Sequence, residues 1–228
     1  MPVTTQRRTA TPATKTSAPG FLPRALQTRL EKEKEEQAAR ASAAGNFLRA
    51  PSDGNTVEFR VMSECRWGYE VWYTYQNDEG KDQKGCMRWD AEALNDEGLD
   101  EPPAVEIPEG ADTMKNGEPK VSTFMAMVVY NLGEDRFQIW SFTQSTIKEQ
   151  FTLACENKRF GDPRGYDIAW TRKGKTITDT VHTLQALPPS ELPEEIVARY
   201  DEFQVDLAAF CQGASSEEIF PKAGSAAS

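Results

Sequence analysis

Aromatic and basic side chains alternate along residues 60–89 in a pattern that suits one kind of chemistry. Exposed rings can stack on the flat bases of a nucleic acid, and neighbouring cations can contact its phosphates. With the period-two alternation of a strand, Tyr69, Tyr73 and Tyr75 share one face and Trp72 lies on the other. A core needs only one face, so rings on both faces favour binding over packing alone. The alternative is that these rings fill a barrel and close its ends.

The candidate nucleic-acid-binding residues of this stretch are Arg60, Arg66, Trp67, Tyr69, Trp72, Tyr73, Tyr75, Lys81, Lys84, Arg88 and Trp89. A second cluster of the same kind comprises Arg164, Trp170, Arg172, Lys173 and Lys175. Tyr166 and Ile168 share a strand face with Trp170, and we expect those two to lie in the core. The basic turn at 172–175 is predicted to contact phosphates; the alternative is a solvated hairpin tip.

Catalytic and metal-binding patterns are weak in this chain. The four cysteines form no CxxC pair and His182 is the single histidine, so a zinc site would lack its usual short ligand spacing. The glycines form no phosphate-binding loop, and His182 has no neighbouring serine or cysteine with the context of a nucleophile. We therefore predict no metal, no cofactor and no enzymatic activity. Metal catalysis by paired carboxylates is the remaining enzymatic alternative.

The net charge of −10 argues against nucleic-acid binding until its distribution is considered. Residues 1–30 hold five basic residues and no acid, whereas residues 90–118 hold ten acids and one base. The excess negative charge therefore lies in a long loop and in the C-terminal part, so a basic surface elsewhere is compatible with the total.

The hydrophobic pattern predicts mostly short strands. A helix is expected from Pro23 to about Ala44, where Gly45 ends it. Strands are predicted at about 57–62, 68–75, 84–89, 121–132, 136–142, 166–172 and 176–184. One helix is expected at 145–156, capped by Ser145, and another from Ser190 to about Cys211.

These elements predict a mainly β protein with flanking helices, built as an OB-fold-like antiparallel Greek-key barrel. A β-sandwich is the competing architecture. The expected divisions are a basic disordered arm with a helix at 1–50, the barrel at 51–188, and a C-terminal helix with an acidic and apolar tail at 189–228. With no signal peptide and no apolar run of membrane-spanning length, we expect a reducing cytoplasm and no membrane.

One ordered series of short motifs is more specific than any of them alone. It runs Gln138-Ile139-Trp140-Ser141-Phe142, Ser145-Thr146-Ile147, Gly161-Asp162-Pro163, Tyr166-Asp167-Ile168, Arg172-Lys173-Gly174 and Thr178. In order and spacing this series resembles the core of tailed-bacteriophage single-stranded DNA-binding proteins of the helix-destabilising type. The resemblance covers about residues 55–188 and is densest at 124–184.

The resemblance implies a protein that binds and protects single-stranded DNA in phage replication, recombination or repair, within the cytoplasm of a bacterial host. It implies self-association along DNA through the basic arm, with Arg7, Arg8 and Lys15. It also implies contact with replication proteins through Ile219, Phe220 and Pro221 of the tail. The chain departs from the family in three respects: it lacks a zinc-ligand spacing, its tail is less acidic, and Thr180 stands where a stacking aromatic is expected. The alternative function is a protein-interaction module that docks on replication or host proteins through its helices and tail.

Overall fold

The computed structural model describes Arg29 and residues 45–91, 106–176, 178–203 and 205–220. Seven strands form one antiparallel sheet: β1 Thr56–Val61, β2 Arg66–Gln76, β3 Asp82–Asp90, β4 Val121–Asn131, β5 Arg136–Phe142, β6 Tyr166–Lys173 and β7 Val181–Pro189. The described helices are α1 Ser145–Glu156, α2 Glu194–Glu202, α3 Leu207–Cys211 and α4 Ser216–Ile219, with a 3-10 turn at Pro163–Gly165. The mainly β architecture with flanking helices is confirmed.

Strands β1 and β2 pair one after the other with the same edge of β4. Val61 lies opposite Val129 and Arg66 opposite Ala126, and Ser63 fills the break between the strands by accepting a hydrogen bond from the Val128 N–H at 2.9 Å. At this break the two strands separate, so that β1 pairs with β6 on its other edge and β2 pairs with β3. The β4–β5 hairpin, helix α1 and the β6–β7 hairpin complete a Greek-key connection of the OB type.

The barrel is open between β5 and β7, which do not pair within the described part of the chain. Residues 46–48 pair with the free edge of β5, where the Leu48 N–H donates to the Ile139 oxygen at 2.9 Å. Helix α1, rather than a further strand, contacts the edge of β7. Its Gln150 side chain donates to the His182 oxygen at 2.9 Å and accepts from the Leu184 N–H at 2.7 Å. A helix side chain thus satisfies edge groups that a closing strand would otherwise pair.

Both faces of the β4–β5 hairpin are buried, each against a different partner. The inner face carries Met127, Val129 and Trp140, which pack with Ile147 and Phe151 of α1 in the barrel core. The outer face contacts the C-terminal helices through two clusters. Their members include Phe124, Ile139, Phe210 and Ile219 in one, and Tyr130, Phe137 and Ile196 in the other. The C-terminal segment therefore covers the outside of this hairpin.

Two elements differ from the sequence-based expectation. The strand predicted at 176–184 begins at Val181, because Asp179 accepts hydrogen bonds from the Thr176 N–H and hydroxyl at 2.6 Å and forms a turn there. The single helix predicted from Ser190 to Cys211 is two helices. The second begins anew because Asp206 caps it, accepting from the Ala209 N–H at 2.8 Å. Ser145 is the first residue of α1 and no side chain caps that helix.

Some expectations fall outside the described residues. They are the helix at 23–44 apart from Arg29, the stretch 92–105 of the acidic loop, and the tail from 221 onward. Residues 46–48 pair with β5, so the packed part of the chain begins before position 51, where the sequence places the start of the barrel domain. Among the described helices, none is long and apolar enough to cross a membrane.

Candidate nucleic-acid interface

One face of the β2–β3 hairpin, called here the aromatic face, carries two pairs of neighbouring aromatic rings separated by the buried Val71. It consists of Trp67, Tyr69, Tyr73 and Tyr75 on β2, with Met87 and Trp89 on β3. The ring centroids of Trp67 and Tyr69 lie 5.9 Å apart and those of Tyr73 and Tyr75 lie 5.8 Å apart. This face continues the interior face of β4, since Trp67 lies opposite Met125 and Tyr69 opposite Thr123. The face assignment made from the alternation is confirmed.

Exposure separates the rings that can stack on a ligand from those that cannot. Tyr75 is 47% exposed and Tyr69 only 4%. Trp67, Tyr73 and Trp89 are half-buried. The Tyr73 ring lies directly over Gly85, where a β-carbon would come into close contact with the Tyr73 ring carbon Cζ and displace the ring. Tyr73 therefore lies across β3 beside Tyr75, and the outer end of the hairpin presents two adjacent rings.

Trp72 lies on the opposite face, also as the alternation predicts, and its ring is held in place. Its indole N–H donates to the Glu70 carboxylate at 2.9 Å, and the same carboxylate accepts from Arg88 at 3.1 Å. The Arg88 guanidinium lies 4.4 Å from the centroid of Phe210 in α3. Trp72 is 43% exposed and lines a cleft of about 340 Å³ with Arg88 and Phe210. This face therefore joins the hairpin to the C-terminal segment.

Most of the predicted phosphate-binding cations are already paired with carboxylates. The pairs are Arg60–Asp167, Arg66–Asp90, Lys81–Glu79, Lys84–Asp112, Arg88–Glu70 and Arg164–Asp162. Asp112 belongs to the described end of the acidic loop, whose backbone pairs with β2 between Thr74 and Gly110. The Asp112 carboxylate of this loop thus already pairs with Lys84, which the sequence analysis assigned to a phosphate contact.

Arg172, Lys173 and Lys175 differ from those six, because no salt bridge to them is found in the described chain. Arg172 is half-buried, whereas Lys173 and Lys175 are exposed beside the turn between β6 and β7. Gly174 shapes this turn with φ of +104°, and a β-carbon there would lie 2.2 Å from the Asp179 oxygen. The β6–β7 hairpin therefore presents three positive charges without a described carboxylate partner.

Besides Tyr69, two further predicted contact residues lie in the interior, and the structure gives them packing roles. Arg60 is 2% exposed, and its guanidinium donates to Asp167 at 2.7 Å and to the Ser190 hydroxyl at 2.8 Å. Trp170 is 4% exposed and packs 5.7 Å from Trp140 in the barrel core. Strand alternation placed Trp170 correctly with Tyr166 and Ile168, but a ring this buried has no free face to stack on a base.

His182 completes the surroundings of Trp170. The Trp170 indole N–H donates to Nδ1 of His182 at 3.2 Å, so this nitrogen carries no proton in that arrangement. Burial and, to a smaller extent, the nearby Arg172 charge lower the pKa of His182 below its usual value. The histidine is therefore held neutral by its position between the core and the β6–β7 hairpin.

The apolar end of the predicted tail peptide is packed rather than free. Ile219 is 4% exposed, and Phe220 lies 5.9 Å from Phe47 between ring centroids. Ser215 and Glu218 form a reciprocal capping box at the start of α4. The other predicted partner-binding residues, Arg7, Arg8, Lys15 and Pro221, lie outside the described residues.

The four cysteines are free thiols. No cluster of three or more His, Cys, Asp or Glu side chains with metal-binding geometry is found among the described residues. Burial raises the pKa of Cys65 to about 11 and that of Cys86 to about 12. Thiols with such high pKa values carry little thiolate at neutral pH and are poor nucleophiles.

Sequence reasoning missed Lys148 and Gln150 of α1, which contact β4 and β7 respectively. No local signal could have identified them, because their importance comes from where the helix packs. Known proteins give no further guidance on this site: no protein family, curated protein or solved structure matches the chain significantly.

Proposed function

We propose that this chain is a non-enzymatic protein that binds single-stranded DNA with little sequence preference. The observation that carries the proposal is the combination of a partly exposed aromatic face on the β2–β3 hairpin with cations on the β6–β7 hairpin that lack a described salt-bridge partner. In OB-folds the loop between the first two barrel strands and the loop between the last two bind oligonucleotides. In this barrel the β2–β3 hairpin lies in the connection between the paired strands β1 and β4, and the basic turn joins the last two strands, β6 and β7. The two hairpins therefore take those two positions.

The two hairpins divide the work of binding between them. Tyr73 and Tyr75 stack on bases, and Trp67 and Trp89 contribute where their half-buried rings are accessible. Each stacked base typically adds about 1–3 kcal/mol, and a π-face is common to all bases, so sequence preference is low. Arg172, Lys173 and Lys175 contact the phosphates. They need not first break a described salt bridge, unlike Lys81 or Lys84.

The proposal includes the biological setting that the family resemblance implies. The protein would coat and protect single strands during phage DNA replication, recombination or repair in the cytoplasm of a bacterial host. Self-association along DNA through the basic arm, and contact with replication proteins through the tail, belong to the same proposal. Their residues lie largely outside the described chain, so the DNA interface is the part that the geometry supports best.

Titration with oligo-dT tests the proposal. Tryptophan fluorescence should be quenched on binding, because Trp67 and Trp89 lie on the aromatic face. Affinity should fall with salt at a slope of about −0.7 per phosphate contact, hence about −2 for the three hairpin cations. Duplex DNA and single-stranded RNA are the comparison ligands. Unchanged fluorescence together with no mobility shift at low salt would overturn the proposal.

The second candidate is a protein-interaction module, and the apolar Ile219–Phe220 segment favours it. In this reading the C-terminal helices bind a partner and the barrel is only a scaffold. The packing of Ile219 against the chain's own α3 weakens it, since the segment is not freely presented. A chain ending at residue 214 that keeps full oligo-dT affinity would assign DNA binding to the barrel and leave partner binding to the C-terminal segment.

A further inference from the structure

Lys148 lies on α1 between the two hairpins that the proposed function uses. Its ammonium donates to the Thr123 hydroxyl at 2.6 Å and to the Thr123 oxygen at 3.2 Å. Thr123 is opposite Tyr69 in the sheet, so these contacts hold the ammonium beside the aromatic face. Two residues further along α1, Gln150 contacts β7 through His182 and Leu184. The helix therefore connects the aromatic face with the strand that follows the basic turn.

The positive charge of Lys148 has no countercharge within the described chain. Both of its hydrogen-bond acceptors are neutral, and no carboxylate forms a salt bridge with it. Burial lowers the pKa of Lys148 below its usual value. The lysines of the β2–β3 hairpin, Lys81 and Lys84, each form a salt bridge with a carboxylate. A partly desolvated cation without an anion is an unfavourable arrangement that an incoming anion relieves.

We infer that Lys148 is a further contact for a backbone phosphate of the bound nucleic acid, between the bases on the aromatic face and the phosphates on the β6–β7 hairpin. The inference rests on the proposed function and extends it by one residue and one ligand group. A phosphate suits this place because lysine contacts it as a point charge, and one of the three ammonium N–H donors remains after two are given to Thr123.

The test compares Lys148→Met with Lys148→Arg in oligo-dT titrations over a range of salt concentrations. Lys148→Met should weaken binding about three- to tenfold at low salt and reduce the magnitude of the salt slope by about 0.7–1. Lys148→Arg should retain most of the affinity and the slope. The matched control is Lys81→Met, which removes an exposed ammonium already paired with Glu79 and should change the slope less.

A second measurement does not depend on the stability of any variant. The pKa of Lys148, followed by nuclear magnetic resonance of its side chain in the full chain, should rise when oligo-dT binds, because a nearby phosphate favours the charged form. If the wild-type chain binds oligo-dT while its Lys148 pKa stays constant and Lys148→Met keeps the wild-type slope, the inference is overturned and the proposed function stands. If the wild-type chain does not bind, both fail.

Discussion

At the residue scale, Arg60 shows how this fold accommodates a charge in its interior. The guanidinium is enclosed by Asp167, the Ser190 hydroxyl and two backbone oxygens, those of Arg164 and Ser190. Hydrogen bonds thus surround the ion pair between Arg60 and Asp167. Removing the guanidinium would leave the Asp167 carboxylate without a countercharge. Arg60 thus ties β1 to β6 and to the chain that follows β7.

Replacing Arg60 with Met should lower the free energy of unfolding by about 3 kcal/mol, because Asp167 then loses its counterion in a largely buried position. Urea denaturation measures the change. Lys81→Met is the control and should cost less than about 1 kcal/mol, since its ion pair with Glu79 is exposed. Equal costs for the two variants would show that the Arg60 network does not stabilise the fold.

His182 gives the chain a pH-dependent stability of predictable sign. Its pKa is lowered in the folded state, so the unfolded chain takes up the proton first as the pH falls. The stabilising contribution is complete above the unfolded pKa of 6.5 and is lost as the pH falls from there through the lower folded pKa. Protonation of Nδ1 also removes the acceptor that Trp170 uses.

The prediction is a decrease in the free energy of unfolding between pH 7.5 and 5.5 that His182→Gln abolishes. His182 is the single histidine, and the carboxylates with lowered pKa, such as Asp162 with a usual value of 3.8, act at lower pH. Chemical denaturation across this range measures the slope. A wild-type protein with flat stability, or a variant with the wild-type slope, would contradict the assignment to His182.

At the scale of elements, the two hairpins differ in how their cations are held. The β2–β3 hairpin pairs Lys81, Lys84 and Arg88 with carboxylates, whereas no described carboxylate pairs with the cations of the β6–β7 hairpin. Releasing a cation from a salt bridge offsets part of the gain from a phosphate contact. The β6–β7 hairpin should therefore dominate the salt dependence, and the β2–β3 hairpin should contribute mainly through its rings.

The combined variant Arg172→Gln, Lys173→Gln and Lys175→Gln should reduce the magnitude of the salt slope for oligo-dT by about 2. The matched control also removes three positive charges, with Lys81→Gln, Lys84→Gln and Arg164→Gln, all of which pair with carboxylates. It should reduce the slope by clearly less. An equal reduction in the two triple variants would mean that only net charge matters.

The sequence allowed a good prediction of elements and a poor one of their contacts. Alternation of apolar and polar residues located the strands, and it assigned Tyr75 and Trp72 to opposite faces because side chains alternate in any strand. The solvent exposure of each side chain could not be predicted from this alternation. Whether Trp170 faces a core or a groove depends on which helix covers that face, and here α1 supplies Phe151 to the same core.

The ion pairs were equally inaccessible to sequence reasoning. Arg60 and Asp167 are far apart in the chain and meet only because β1 pairs with β6. The break between α2 and α3 escaped prediction because the apolar spacing continues through it, while the cap formed by Asp206 is a single local hydrogen bond. The local sequence pattern thus predicts the type of each element. Tertiary contacts decide which charged side chains form salt bridges and which remain available to bind a ligand.

At the scale of the whole molecule, one part of the acidic excess lies on the outer side of the β4–β5 hairpin, and another part belongs to the loop at 90–118. Residues 190–220 hold eight acids and one base, and their helices cover the outer face of the β4–β5 hairpin. A polyanion is repelled from such a surface and drawn toward the cations elsewhere. The C-terminal acids should therefore disfavour DNA on that outer face, whereas the carboxylate of the loop residue Asp112 lies against Lys84 on the β2–β3 hairpin itself.

Two truncations test where the packed part of the chain begins. A chain that starts at residue 43 keeps Phe47 and Leu48, which pair with β5 and pack against both cores. A chain that starts at residue 51 lacks them and should be less stable than the first by about 3 kcal/mol or more, from the lost apolar burial. Thermal and urea unfolding compare the two directly. Equal stability would mean that residues 46–48 do not support the sheet.

The burial of Ile219 affects how any partner that recognises the Ile219–Phe220 segment can bind. Such a partner binds only the minor population in which α4 has left the barrel, so its apparent affinity is reduced by that population. Uncovering one isoleucine costs about 1.5–3 kcal/mol, which corresponds to about a tenfold to hundredfold weaker complex than the isolated peptide would form. Any event that loosens α4 would then act as a switch that admits the partner.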